Sequence, residues 1–146
     1  MAKYGLSIEI VGVREALDKV KKDFNKISDE IDMEVGDGVQ KIISLAKTEV
    51  PANFSRLATS LYFLKVGKFN YKYGSNLNYA AYVEFGTGKY AAAYVPSLEP
   101  EWQEYARTFQ TSRPGKTDKH PYLYPATKEG LKNILNNINT ILKKYA

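Results

Sequence analysis

The chain has 146 residues, 44% of them apolar and 25% charged, which suits one domain with a single core and excludes wholesale disorder or a fibrous repeat. It has no cysteine and one histidine, His120, which excludes a disulfide scaffold, a thiolate zinc site, an iron–sulfur cluster, a cysteine nucleophile and a histidine-rich metal centre. A net charge of +5 beside 12 tyrosines points to nucleic acid or other protein copies as partners.

Leu6, Ile8 and Ile10 alternate with Ser7 and Glu9, the period of a short strand before Gly12. From Val13 the period changes. Leu17, Val20, Phe24, Ile27, Ile31 and Val35, then Val39, Ile42, Ile43, Ala46 and Val50, recur every three or four residues. That predicts one long amphipathic helix, stopped by Pro51, which disfavours helical geometry at Val50. Gly36 and Gly38 lie inside it, and about 1 kcal/mol per interior glycine predicts a kink or short break there. Asp32, Glu34 and Asp37 lack the spacing of a calcium loop and are assigned to the wet face of the helix.

Residues 60–66 and 69–73 are aromatic-rich and separated by Gly67-Lys68, which predicts a hairpin. Tyr71 and Tyr73 then share one face of their strand, with Asn70 and Lys72 on the other. Residues 79–85 fit a helix turn or a strand, ended either way by Gly86-Thr87-Gly88. Tyr90–Val95 reads as a strand edge, 99–110 as a short helix with Pro100 in its first turn, and Thr111–Lys119 as a mobile loop without apolar residues. Leu131, Ile134, Leu135, Ile138, Ile141 and Leu142 predict a second amphipathic helix over 126–144, with Lys143 and Lys144 at the negative end of its dipole. The expected class is α+β: a small antiparallel sheet packed against one long N-terminal helix and a C-terminal helix. Residues 1–146 form one domain, with an inserted helix and loop at 97–119.

The charge is uneven. Residues 1–49 carry a net −2, 50–98 a net +4, 99–104 a net −3 and 105–146 a net +6. No motif carries catalysis. Gly115-Lys116-Thr117 echoes the tail of a phosphate loop, but Gln110 stands where its first glycine belongs. Gly86-x-Gly88 lacks the third glycine of a dinucleotide fingerprint. Glu99, Glu101 and Glu104 read as a solvated face, and His120 has no nucleophile near it in sequence. The chain is therefore read as non-enzymatic, with no cofactor and no metal.

Ten of the tyrosines fall between residues 62 and 124, placed in the sheet and loops rather than on helix stripes. Lys65, Lys68 and Lys72 are interleaved with them, which fits a stacking platform for single strands or a protein contact equally. The first residues lack the apolar core of a signal peptide. The longest run without Asp, Glu, Lys or Arg, Tyr73–Val83, is 11 residues, too short for a span. A soluble, cytoplasmic protein with no membrane contact is expected.

Tyr79-Ala80-Ala81-Tyr82-Val83-Glu84-Phe85-Gly86-Thr87-Gly88 resembles the Y-A-x-Y-V-E-F-G-T signature of the gene-product-ten-like family of siphophage tail components, tail-completion or head–tail joining proteins. Three flanking features agree: a long helix ending at Pro51, a Leu-x-x-Ser-hydrophobic start to the first strand at Leu57–Leu61, and Pro121-Tyr122-Leu123-Tyr124-Pro125-Ala126 ahead of the last helix. The likeness spans roughly residues 13–146. It departs where Phe54-Ser55-Arg56 replaces a Thr-Gly turn and where residues 90–119 run long.

The resemblance implies a structural virion protein at the head-proximal end of a long tail, a ring of six copies that completes the tail and joins it to the head. Its partners would be other copies of itself, the connector or stopper, and the tail terminator or tail-tube proteins, with transient contact to the passing genome. It would reside in the tail or neck of the virion, and in the host cytoplasm during assembly. On this reading Tyr79, Tyr82, Glu84, Phe85, Gly86, Thr87, Gly88 and Lys89 form the subunit interface, with Glu84 pairing to a basic group on the next copy. Phe85 anchors the sheet–helix core. Lys65, Lys68, Lys72, Arg113, Lys116 and Lys119 are the DNA-facing candidates. The alternative is a basic, tyrosine-rich nucleic-acid-binding module.

Overall fold

The apolar stripe read from residue 13 onward folds as α1 (Arg14–Glu49) in the computed structural model, which describes residues 14–109 and 114–146. The strand expected at Leu6–Ile10 lies outside the described residues, as does Arg113. Antiparallel to α1 packs α6 (Leu123–Lys144). Ile31, Ile42, Ile43 and Ala46 of α1, with Val50 just after it, meet Tyr122, Ala126, Ile134 and Ile138 in the main core. Each aliphatic side chain buried there contributes about 1.5–3 kcal/mol.

The expected kink is absent: α1 runs unbroken through Gly36-Asp37-Gly38. The glycines serve close approach instead. A Cβ on Gly38 would collide with Ile134 of α6, and one on Gly130 of α6 with Ile42 of α1. Gly36 makes room for the Tyr71 hydroxyl, which would stand 2.9 Å from an added Cβ. Three large side chains thus seat in three glycine notches, and packing outweighs the intrinsic helix penalty of glycine.

After Pro51 a 3₁₀ turn (Ala52–Phe54) leads into α2 (Ser55–Ser60), a helix where Leu57–Ser60 was expected to begin the first strand. Leu57 is fully buried in the main core, so the Leu-x-x-Ser pattern marks a helical turn. The hairpin follows as β1 (Tyr62–Gly67) and β2 (Asn70–Gly74), antiparallel, with a bulge between Lys65 and Gly67. Its turn sits one residue later than expected, at Lys68-Phe69, and Phe69 takes a positive φ of 63°.

Residues 79–85, left open between helix and strand, form α3 (Ala80–Phe85). The strand edge expected at Tyr90–Val95 is instead α4 (Gly88–Tyr94) with a 3₁₀ turn at Val95–Ser97. Ala91-Ala92-Ala93 supplies strong helix formers, which explains that correction. The expected short helix is α5 (Pro100–Thr108). Helix α6 starts three residues before 126, with Pro125 in its first turn, where a missing N–H is tolerated. The architecture is α+β: mostly helical, with one two-stranded antiparallel sheet and the long N-terminal helix packed against the C-terminal one. Several tyrosines expected in sheet and loops, Tyr82, Tyr90, Tyr94 and Tyr124, lie on the helices α3, α4 and α6.

Candidate assembly site

The signature residues build a joint within one chain. Helix α3 ends at Gly86, whose N–H donates to the Tyr82 carbonyl at 2.9 Å and whose φ of 77° with ψ of −174° is a conformation essentially confined to glycine. Against this turn lies an extended strap, residues 114–120. The Thr87 N–H donates to the Thr117 carbonyl at 2.8 Å, and the Thr117 N–H returns to Thr87 Oγ1 at 3.0 Å. The His120 N–H donates to the Val83 carbonyl at 2.7 Å. A Cβ on Gly86 would stand 2.9 Å from Lys119 N and Thr117 O, and one on Gly88 2.5 Å from Gly115 O. The stretch read as a mobile loop is therefore, over 114–119, backbone seated in a glycine-lined notch; 111–113 lie outside the described residues.

Glu84 corrects the sequence reading most sharply. It was expected to pair with a neighbouring copy, yet it is 3% exposed and both its oxygens are taken within the chain. Oε1 accepts the N–H groups of Leu123 (2.7 Å) and Tyr124 (3.2 Å), and Oε2 that of Tyr122 (3.1 Å). These are orphan donors at the N-terminus of α6, so Glu84 caps that helix from a distance in sequence. Burial pushes its carboxyl up to about 7, while the three donors pull it down. The Tyr122 hydroxyl donates to the Ala80 carbonyl at 2.9 Å and pins α3 to the same point.

Phe85 also departs from expectation. It lies in a second cluster with Leu98 and Ala106, outside the sheet–helix core. Trp102 of α5 sits edge-on to Phe85 at 6.3 Å and to Tyr124 at 5.1 Å, which fastens α5 to the start of α6. Tyr124 donates to Glu99, which also holds Lys128 at 3.3 Å. Of the remaining interface candidates, Tyr79 packs on Phe54 at 6.3 Å, Tyr82 and Thr87 are half-buried, and Lys89 is exposed above the Tyr90 ring. The joint uses Glu84, Phe85, Gly86, Thr87 and Gly88 inside the subunit, which leaves Lys89 on the surface.

The lysines divide too. Lys65 is ion-paired with Asp32, and Lys68 with Asp29 at 3.0 Å. Asp32 is only 8% exposed, which overturns its assignment to the wet face. Burial raises its carboxyl, but Lys65, the Phe69 N–H (2.9 Å) and the Tyr71 hydroxyl (3.3 Å) outweigh that and hold it below the usual range. This one side chain docks the hairpin onto α1 and supports the positive φ of Phe69. Tyr71 and Tyr73 do share the inward face, Tyr73 bonding the Thr127 hydroxyl at 3.0 Å. Lys72, Lys116 and Lys119 are exposed, the last above the Tyr94 ring. His120 is exposed at the end of the strap. Glu99, Glu101 and Glu104 lie on the surface, as the solvated-face reading held.

What stays uncovered is apolar. On β1, Leu64 is 45% and Val66 58% exposed, and within the described residues the two-stranded sheet has both edges open. On α5, Tyr105 is 42% exposed, and Phe109, the residue that follows the helix, is 49% exposed. Among the described residues no cluster of His, Asp or Glu could hold a metal ion, and no helix is long and apolar enough to cross a membrane. Sequence reasoning missed Asp32 and the Glu84–α6 cap because both act across long separations in the chain. It missed the α5 surface although Tyr105 and Phe109 stand at helical spacing. Protein-family models, curated proteins and solved structures were compared with the chain, and none matches.

Proposed function

We propose that this chain is an assembly subunit: a structural virion protein that forms a ring, six copies by the resemblance, at the head-proximal end of a long phage tail, completing the tail and joining it to the head. The observation that carries the assembly part is the open-edged hairpin with Leu64 and Val66 exposed. A lone subunit leaves such a face unprotected, whereas an assembly covers it. The virion part rests on the resemblance of residues 79–88, which here build the notch that holds the strap. The Lys/Tyr nucleic-acid platform is weakened, since Lys65 and Lys68 are already neutralised by Asp32 and Asp29. A steep salt dependence of single-strand binding in a gel-shift titration would restore that alternative. The direct test is electron microscopy of lysate from a phage lacking this gene. Filled heads beside separate tails are expected, and normal virions would overturn the proposal.

A further inference from the structure

Two of the exposed apolar surfaces, apart from Met33 and Leu135 on the long helices, differ in charge. On the outer face of the hairpin, Leu64 pairs across the strands with Lys72, and Val66 stands nearby at the bulge. Glu101 and Tyr105 of α5 and Phe109, which caps its C-terminus, follow at four-residue spacing, which puts them on one side. Lys72 and Glu101 are exposed, and neither has an ionic partner among the described residues. The neighbouring charges are already satisfied: Lys65 and Lys68 by α1, and Glu104 by Arg107. One patch is therefore apolar with a free cation, the other apolar with a free anion.

The patches lie on different elements of the fold, the hairpin and the α5 segment. Gly38 faces Ile134 and Gly130 faces Ile42, so continuing that pairing sets Tyr124, where α5 docks, opposite residue 48. The hairpin tip is held at Asp32, while Tyr73 near its base reaches Thr127 of α6, so Leu64 and Lys72 stand between those two levels on the outer face. Two complementary patches at separate places make a contact that is heterologous, and repetition gives a closed ring or an open filament.

We infer that the hairpin of one copy docks on α5 of the next, with Leu64 and Val66 against Tyr105 and Phe109, and Lys72 facing Glu101. The inference rests on the assembly reading above and names its surfaces. It does not depend on the virion assignment. The lack of native cysteine makes the test clean. Leu64→Cys and Phe109→Cys are surface changes, used singly, mixed, and combined in one full-length chain, with a short bismaleimide as cross-linker.

Either single variant alone should stay monomeric on a denaturing gel, their mixture should give a dimer, and the combined variant a ladder. A Leu64→Cys homodimer, an internally linked monomer, or no cross-link up to millimolar protein would each overturn the inference. Lys72→Glu should lower the cross-linking yield about two- to five-fold, and adding Glu101→Lys should restore it. No change on Lys72→Glu, or no rescue by the swap, would overturn the assigned pairing. A ladder from a protein whose gene deletion leaves virions normal would retain this contact and remove only the virion role.

Discussion

Replacing Gly86 with Ala tests whether the signature turn is a notch for the strap. Two penalties add. At φ 77° and ψ −174° the backbone is in a region that costs a non-glycine residue about 1–3 kcal/mol. The new methyl then meets Lys119 N and Thr117 O at 2.9 Å, backbone atoms that no rotamer change can move aside. Overpacking of this kind typically costs about 1–3 kcal/mol. The sum, about 2–6 kcal/mol, is a large part of a typical stability of about 5–15 kcal/mol. For a chain of this size it lowers Tm by about 7–20 °C.

Gly74→Ala is the control. Gly74 also has a positive φ, 154°, but nothing lies within 4 Å of an added Cβ. The excess loss in Gly86→Ala over Gly74→Ala therefore reports the collision together with the difference between the two backbone conformations. Urea unfolding gives the free energies, and limited trypsin digestion reads the strap, because Lys116 and Lys119 are on it. In Gly86→Ala both bonds should be cut faster in the native state. Equal losses in the two variants, or unchanged cleavage after Lys116 and Lys119, would refute the notch.

Asp32→Ala removes the acceptor of the Phe69 N–H and the partner of Lys65, and should cost about 1–3 kcal/mol, with hydrogen exchange accelerating in 62–74 ahead of the α1–α6 pair. Uniform acceleration across the chain would show that the hairpin does not depend on that carboxylate. Glu84, raised from 4.5 to about 7 in the folded chain, binds a proton that the unfolded chain releases between those values. Its contribution, up to about 3 kcal/mol, is present in full below pH 4.5 and is lost as pH rises through about 7. Stability measured against pH should lose this component in Glu84→Gln, and an identical profile in the variant would reject it. Gly38→Ala should destabilise by about 1–3 kcal/mol through Ile134, and in the Ile134→Ala background the same change should become neutral or favourable, as read by a double-mutant cycle. Additive losses would place the clash elsewhere.

The periodic parts of the fold were legible because burial imposes its period on the residues. Ile31, Ile42, Ile43 and Ala46 of α1 and Ile134 and Ile138 of α6 all stand in the core that the stripes indicated. The hairpin was legible from its aromatic runs and turn, and the facing of Tyr71 and Tyr73 from strand alternation. Errors arose where a residue answers to something distant in sequence. Gly38 reads locally as a helix breaker and acts as a notch for Ile134. Asp32 sits among solvated acids in sequence, and only the returning hairpin buries it. Tyr90–Val95 was assigned by its aromatics, while its three alanines set the helix.

The most recognisable sequence in this chain thus serves folding. Glu84, Phe85, Gly86 and Thr87 are occupied by α6, α5 and the strap, so substitutions there break the subunit before they alter any contact with another. Surface contacts carry no such constraint. Leu64, Val66, Tyr105 and Phe109 are exposed and could change in concert with a partner surface at little cost to the core. A motif that identifies such a subunit and a patch that assembles it are therefore expected on different residues. Loss-of-function variants should separate accordingly. Changes at 84–88 should lower the stability of the fold, whereas on the proposed contact a charge placed at Leu64 or Phe109 should leave a folded monomer that does not assemble.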